Sequence, residues 1–177
     1  MSASSAPTPG ARVLYTPEER RRRDASPWTL VQGVLAPLQF AVFFVSLCLV
    51  LRYLATGEGL QAATVSIVVK TFVLYTIMVT GSIWEKDVFG CYLFARPFFW
   101  EDVVSMLVLV LHTAYLVSLL TGFLAPREQM FLALAAYSSY IVNATQFLLK
   151  LRAARLQAAG QGASAGAAGA PVLGIAE

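Results

Sequence analysis

Four long apolar runs decide what this chain can fold into. They fall at about residues 27–54, 61–84, 98–120 and 128–151, with short stretches rich in Gly, Pro and charge between them. Each is near or above the roughly 20 residues an α-helix needs to cross the hydrocarbon of a bilayer. Hydrophobic residues make up 58% of the 177 and charged residues only 13%, roughly half the charged share of an ordinary globular protein. A soluble domain of this size cannot bury so much apolar surface. The sequence therefore predicts an all-α integral membrane protein, a four-helix bundle over residues 26–157. It is flanked by a basic N-terminal arm (1–25) and an Ala/Gly-rich tail (158–177), both expected to be disordered.

Local signals set the ends. Ser26-Pro27-Trp28 reads as a helix start, with Ser as N-cap, Pro at the first helical position and Trp as an interface anchor. Pro37 should kink the first span without ending it, because the apolar pattern continues past it. Thr56-Gly57-Glu58-Gly59 closes that span, and Gly90 and Arg96-Pro97 mark a central loop over 85–97. The first run begins too late and is too long for a cleaved signal peptide, so it is expected to stay as a span.

The net charge of +3 does not point to nucleic acid, because the positive groups cluster at the ends of the apolar runs. Arg12, Arg20, Arg21, Arg22, Arg23, Lys86, Arg96, Lys150, Arg152 and Arg155 fall on one side, and only Arg52 and Arg127 on the other. The positive-inside rule then puts both termini and the central loop in the cytoplasm, with lipid as the first partner. Cys48 and Cys91 have neither metal spacing nor a disulfide framework and read as packing residues.

Within the spans the polar residues recur at helical spacing. Gln32, Gln39, Ser46 and Tyr53 repeat every seven residues, and Glu101, Ser105, His112 and Tyr115 share a face. Ser139, Asn143, Gln146 and Lys150 form a stripe, and Ser66, Lys70, Gly81 and Trp84 a weaker one with Glu85 at its edge. Lipid satisfies none of these groups, so the four seams should turn inward around a polar cavity. Counting residues from the cytoplasmic ends places Gln39, Lys70 and His112 at about 18–21 Å depth, as one mid-membrane layer. Glu85, Glu101 and Asp102 form a second, acidic layer near the interface.

Plainer readings stand beside these. Glu101 and Asp102 suit the first turn of a helix by its dipole, Lys70 can snorkel, and His112, Gln39 and Asn143 can be interhelical glue. No Walker loop, Rossmann glycine pattern, HExxH or paired histidine occurs. The single histidine excludes a bis-histidine haem site within one chain, so no redox cofactor is expected. What remains is cofactor-free acid–base chemistry, or ligand binding without chemistry.

The segments YTPEERRRRDASPWTLVQGVLAPLQF, LRYLATGEG, SIVVKTFVLYTIMVTGSIWEK and FFWEDVVSMLVLVLHTAYL resemble the vinyl bacteriochlorophyllide hydratases of bacteriochlorophyll synthesis, over about residues 14–157. The resemblance implies a lyase that adds water across the C3 vinyl group of a chlorophyllide-type ring, leaving a 1-hydroxyethyl group. The substrate is itself a magnesium tetrapyrrole, and no further cofactor is implied. The remaining partners this allows are other enzymes of the same synthesis or a second copy of the chain. On that reading Lys86 or Arg96 meets the pigment's propionate. Glu101 or Glu85 is the acid for the terminal vinyl carbon, since partial burial favours a protonated carboxyl. Asp102 stays ionised to orient water or stabilise the cation. His112 is the alternative base, or the axial ligand of the pigment's magnesium. Glu101 and His112 lie about 16 Å apart along one helix, so in the second case Lys70 or Tyr115 becomes the proton donor. Gln39 and Asn143 complete the candidate substrate-binding set. Two other functions fit the same cavity, a non-catalytic pigment carrier and a small oligomeric transporter.

Overall fold

The computed structural model describes residues 14–168, and every regular element among them is helical. The five helices are α1 (Pro17–Ala25), α2 (Pro27–Thr56), α3 (Leu60–Phe89), α4 (Phe99–Thr121) and α5 (Pro126–Ala168). Helices α2 to α5 are each long and apolar enough to cross a membrane. The 23 residues of α4, the shortest of the four, span about 35 Å, more than the roughly 30 Å hydrocarbon. The all-α, four-span bundle expected from the sequence is the architecture observed.

Helix α2 runs unbroken through Pro37. Ser26 occupies its N-cap position, but the hydroxyl makes no capping bond, so Pro27 rather than a side-chain cap sets this start. Two hairpins result. Residues 57–59 join α2 to α3, with Gly57 and Gly59 both left-handed at φ 75° and 83°, a conformation that costs any other residue about 1 kcal/mol or more. Residues 122–125 join α4 to α5, where the Ala125 N–H donates to the Glu128 carboxylate, 2.8 Å. Packing within each hairpin is far more extensive than between them.

Burial is inverted relative to a soluble protein. Leu120 and Phe123 are 85% and 84% exposed, whereas Lys70, His112 and Ser46 are wholly enclosed. Such a surface is solvated by lipid, and the four seams read from the sequence do face inward. Gln39, Ser46, Lys70, Glu101, Ser105, His112, Tyr115 and Asn143 are all buried.

Three expectations need correction. The arm over 1–25 is not disordered throughout, because residues 17–25 form α1. Thr16 and Glu19 make a reciprocal capping box, Pro17 opens the helix, and Arg22 and Arg23 sit at its end. Tyr15 pins it to the bundle, stacked on Phe89 at 5.8 Å with Phe98 beside it. The second span does not stop at Trp84. It continues to Phe89 and ends on left-handed Gly90, so Glu85 belongs to a helix and not to the central loop. The last helix likewise continues past 157 to Ala168, into the stretch expected to be disordered. Residues 1–13 and 169–177 lie outside those described.

The hairpins are bridged by the Tyr137 hydroxyl, hydrogen-bonded to Ser46 across α5 and α2. Tyr137→Phe should lower the unfolding free energy by about 1 kcal/mol, measured by reversible denaturation in mixed detergent micelles. An unchanged midpoint would show that the bridge contributes nothing.

Candidate active site

The mid-membrane layer forms where the two hairpins meet. Lys70 of α3 places Nζ 2.9 Å from Nε2 of His112 on α4. The other ring nitrogen, Nδ1, lies 2.8 Å from the Val108 carbonyl. A carbonyl only accepts, so Nδ1 carries the proton and Nε2 presents its lone pair to the lysine. Three rings enclose Nζ, with centroids 4.3 Å (Tyr140), 5.1 Å (Tyr137) and 5.9 Å (Phe43) away. Among the described residues no carboxylate is within ion-pair distance of Lys70. The ring faces and the imidazole therefore stand in for a counter-ion. Ser46 meets both Tyr137 and Ser66, the latter at 2.8 Å, so all four spans converge at this depth. In this arrangement the Nε2 lone pair of His112 is already taken, and the imidazole has none left for a pigment magnesium.

The acidic layer is more finely divided than its residue types suggest. Glu101 is ion-paired to Lys150 at 2.6 Å. Lys150 also donates to the Pro97 carbonyl and lies 4.7 Å over the Phe98 ring. Glu85 and Asp102, 5% and 3% exposed, instead sit side by side and form no ion pair among the described residues. Each also takes a backbone N–H from the segment linking α3 to α4. Ala95 donates to Glu85 Oε2 at 3.2 Å, and Phe94 to Asp102 Oδ2 at 2.7 Å. Phe94 has a left-handed backbone, φ 60°, unlike any other non-glycine residue described. This segment is a strap drawn across the carboxyl pair.

The other candidates fall around these layers. Gln39 is buried one turn from Phe43, and Asn143 donates to Ser105 Oγ at 2.8 Å. Tyr115 is fully enclosed near His112. Lys86 and Arg96 are exposed at the acidic end, where Lys86 Nζ bonds the Gly90 carbonyl at 2.8 Å and faces the Tyr92 ring. Two open apolar grooves, about 820 and 660 Å³, lie along α4/α5 and α2/α3 respectively, and neither is lined by any of the carboxyls. Among the described residues no group of three His, Cys, Asp or Glu is placed to hold a metal ion. Outside the spans, burial raises the Tyr15 phenol above its usual pKa, while the Arg23 guanidinium 4.9 Å over its ring pulls the other way.

Sequence reasoning missed Tyr137, Tyr140 and Phe43 as the walls around Lys70, and Lys150 as the partner of Glu101. The i, i+3, i+6 spacing of Tyr137, Tyr140 and Asn143 was the available signal, since it sets both rings on the polar stripe of α5.

Fold and site together define a multi-pass membrane protein that keeps a caged lysine and a carboxyl pair between two helical hairpins. A family model described as 2-vinyl bacteriochlorophyllide hydratase matches residues 15–153. A Rhodobacter capsulatus protein named 2-vinyl bacteriochlorophyllide hydratase is 64% identical over 160 residues, covering 90% of this chain and 93% of that protein. A protein of the same name from Cereibacter sphaeroides is 66% identical over 153 residues, covering 86% and 94%. The chain belongs to the 2-vinyl bacteriochlorophyllide hydratase family. No solved structure matches it.

Removing the acceptor from the caged lysine should be costly. His112→Ala is expected to lose on the order of 2 kcal/mol of stability, whereas Lys70→Met/His112→Leu recovers most of it. A double-mutant cycle in micelles measures this, and additive single losses would refute the coupling.

Proposed function

We propose that this chain adds water across the C3 vinyl group of a bacteriochlorophyllide, giving a 1-hydroxyethyl group, with the Glu85–Asp102 pair supplying and recovering the proton. Family membership supports the reaction, and two buried carboxyls side by side beneath residues 94–95 are the observation that carries the residue assignment. The reaction needs an acid, a base and water, and no electron acceptor.

Glu85 protonates the terminal vinyl carbon. The positive charge then forms on the carbon attached to the ring, where the conjugated macrocycle spreads it. The Asp102 carboxylate beside it lowers the energy of that cation. Water attacks the ring-side carbon, and its surplus proton returns to the pair, restoring the starting state. Two carboxyl groups sharing one proton suit this cycle, because one member is acid while the other is base. Glu101 is left out of proton transfer, since its carboxyl is occupied by Lys150. For the vinyl group to reach the pair, the Phe94 and Ala95 N–H donors must move aside. The left-handed backbone of Phe94, which costs about 1–2 kcal/mol, is relieved in that movement.

The orientation belongs to the same proposal. The acidic end faces the cytoplasm, both termini lie there, and the membrane is the bacterial inner membrane. Lys86 and Arg96 then stand at the interface to meet the pigment's propionate, while the apolar macrocycle lies against the spans.

Two experiments check this reading. Membranes holding the wild-type chain should convert 3-vinyl bacteriochlorophyllide to a product one water heavier and blue-shifted. Glu85→Gln and Asp102→Asn should each lose on the order of 10²-fold or more in turnover, and Glu101→Gln less than about tenfold. A larger loss in Glu101→Gln than in Glu85→Gln would move the acid to Glu101. For orientation, a membrane-impermeant maleimide should label Cys91 in inside-out vesicles but not in spheroplasts. The reverse pattern would invert the topology.

A further inference from the structure

Between the caged lysine and the carboxyl pair lies a section of the seam whose polar atoms the protein does not satisfy. The amide of Gln39, 1% exposed, has neither its Nε2 nor its Oε1 hydrogen-bonded. Asn143, 9% exposed, gives Nδ2 to Ser105 but leaves Oδ1 unpaired, and Gln146 Oε1 is also unpaired. These side chains share one region. On the antiparallel helices α2 and α5, Ser46 meets Tyr137 and Phe43 meets Tyr140, ring centroids 5.0 Å apart. Continuing that register one turn toward the acidic end sets Gln39 opposite Asn143, with Gln146 next along α5.

Each buried unpaired polar atom costs about 1–3 kcal/mol, and no bulk water relieves it inside a membrane. The set consists of three carbonyl oxygens and one amide N–H₂, so its complement must both donate and accept. The Lys70 Nζ donor in the adjoining layer and the amide N–H₂ disfavour a cation, which only donates, and the three carbonyl oxygens disfavour an anion. A small neutral molecule with both capacities remains, and water is that molecule.

We propose that Gln39, Asn143 and Gln146 form a water-binding chamber between the hairpins, and that this chamber supplies the water consumed in hydration. The second clause rests on the function proposed above; the first does not. The route is short. Asn143 bonds Ser105, and Asp102 lies three residues further along the same face of α4. Water held here reaches the carboxyl pair from inside the bundle, while the macrocycle approaches it from the strap side. Gln39 and Asn143 are then positioning residues for the nucleophile.

The test uses the full chain in lipid nanodiscs equilibrated with H₂¹⁸O. Radicals generated by an X-ray pulse mark side chains that touch bound water. Tyr140, 6% exposed and one turn from Asn143, is the reporter. Wild type should incorporate ¹⁸O at Tyr140, and Gln39→Leu/Asn143→Leu should cut that label about fivefold or more. The same variant should lose about tenfold or more in turnover on 3-vinyl bacteriochlorophyllide while still binding pigment. Asn143→Asp, which keeps the acceptors, should retain the label. No label at Tyr140 in wild type overturns the chamber, and that result does not depend on any variant folding. Label lost with turnover intact overturns the supply role. Label abolished by bound pigment makes the pigment the occupant and overturns the water assignment. A labelled wild type that never hydrates pigment sinks the proposed function and the supply role but leaves the chamber standing.

Discussion

Everything in this structure depends on one constraint: a polar group inside lipid must find its partner within the protein. The Lys70–His112 contact is where that constraint acts most strongly. A lysine at mid-membrane is out of reach of bulk water and, among the described residues, has no carboxylate to pair with. It is held by the lone pair of a neutral imidazole and the faces of three aromatic rings. Those partners come from α2, α4 and α5, so satisfying one ammonium fixes both hairpins. Lipid tails supply little drive for apolar helices to associate, and interhelical polar contacts set the register in their place.

The acidic layer obeys the same constraint with a different outcome. Three carboxyls lie close together in a poorly solvated place, and the protein divides them. Glu101 is matched to a cation, while Glu85 and Asp102 are each matched to a backbone N–H group. Residue type alone made the three interchangeable. Their partners set Glu101, bound to a side-chain cation, apart from the two carboxyls bound to backbone.

The parts of this arrangement legible in the sequence were those carried by helical periodicity. The seven-residue recurrence of Gln39 and Ser46 and the shared face of Ser105 and His112 announced inward seams, because a helix in lipid has few other uses for polar side chains. The meeting of Lys70 with His112 followed from depth counting. Partner choice was not legible. Tyr140 reads as one more amphipathic aromatic until α2 is set beside α5, and Lys150 reads as an interface cation until Pro97 and Glu101 are brought under it. Helix α1 was hidden by its composition, since seven charged residues among nine look like an arm. Its Thr16–Glu19 capping box was visible, but only Tyr15, packed against Phe89 and Phe98, makes so short a helix persist. Glu85 was misplaced into a loop because Trp84 resembles an interface anchor, although Gly90 was the true stop.

The two tight connections carry a mechanical consequence. Residues 57–59 and 122–125 tie each hairpin shut at the end remote from the acidic layer, with left-handed glycines at Gly57, Gly59 and Gly122. Neither pair of helices can splay there. The longer link, residues 90–98, joins the hairpins at the opposite end and is held by side chains rather than by a tight turn. The molecule is thus built like tongs, with the caged lysine as pivot and the jaws at the carboxyls. Parting the jaws moves one hairpin against the other and leaves each hairpin closed at its far end.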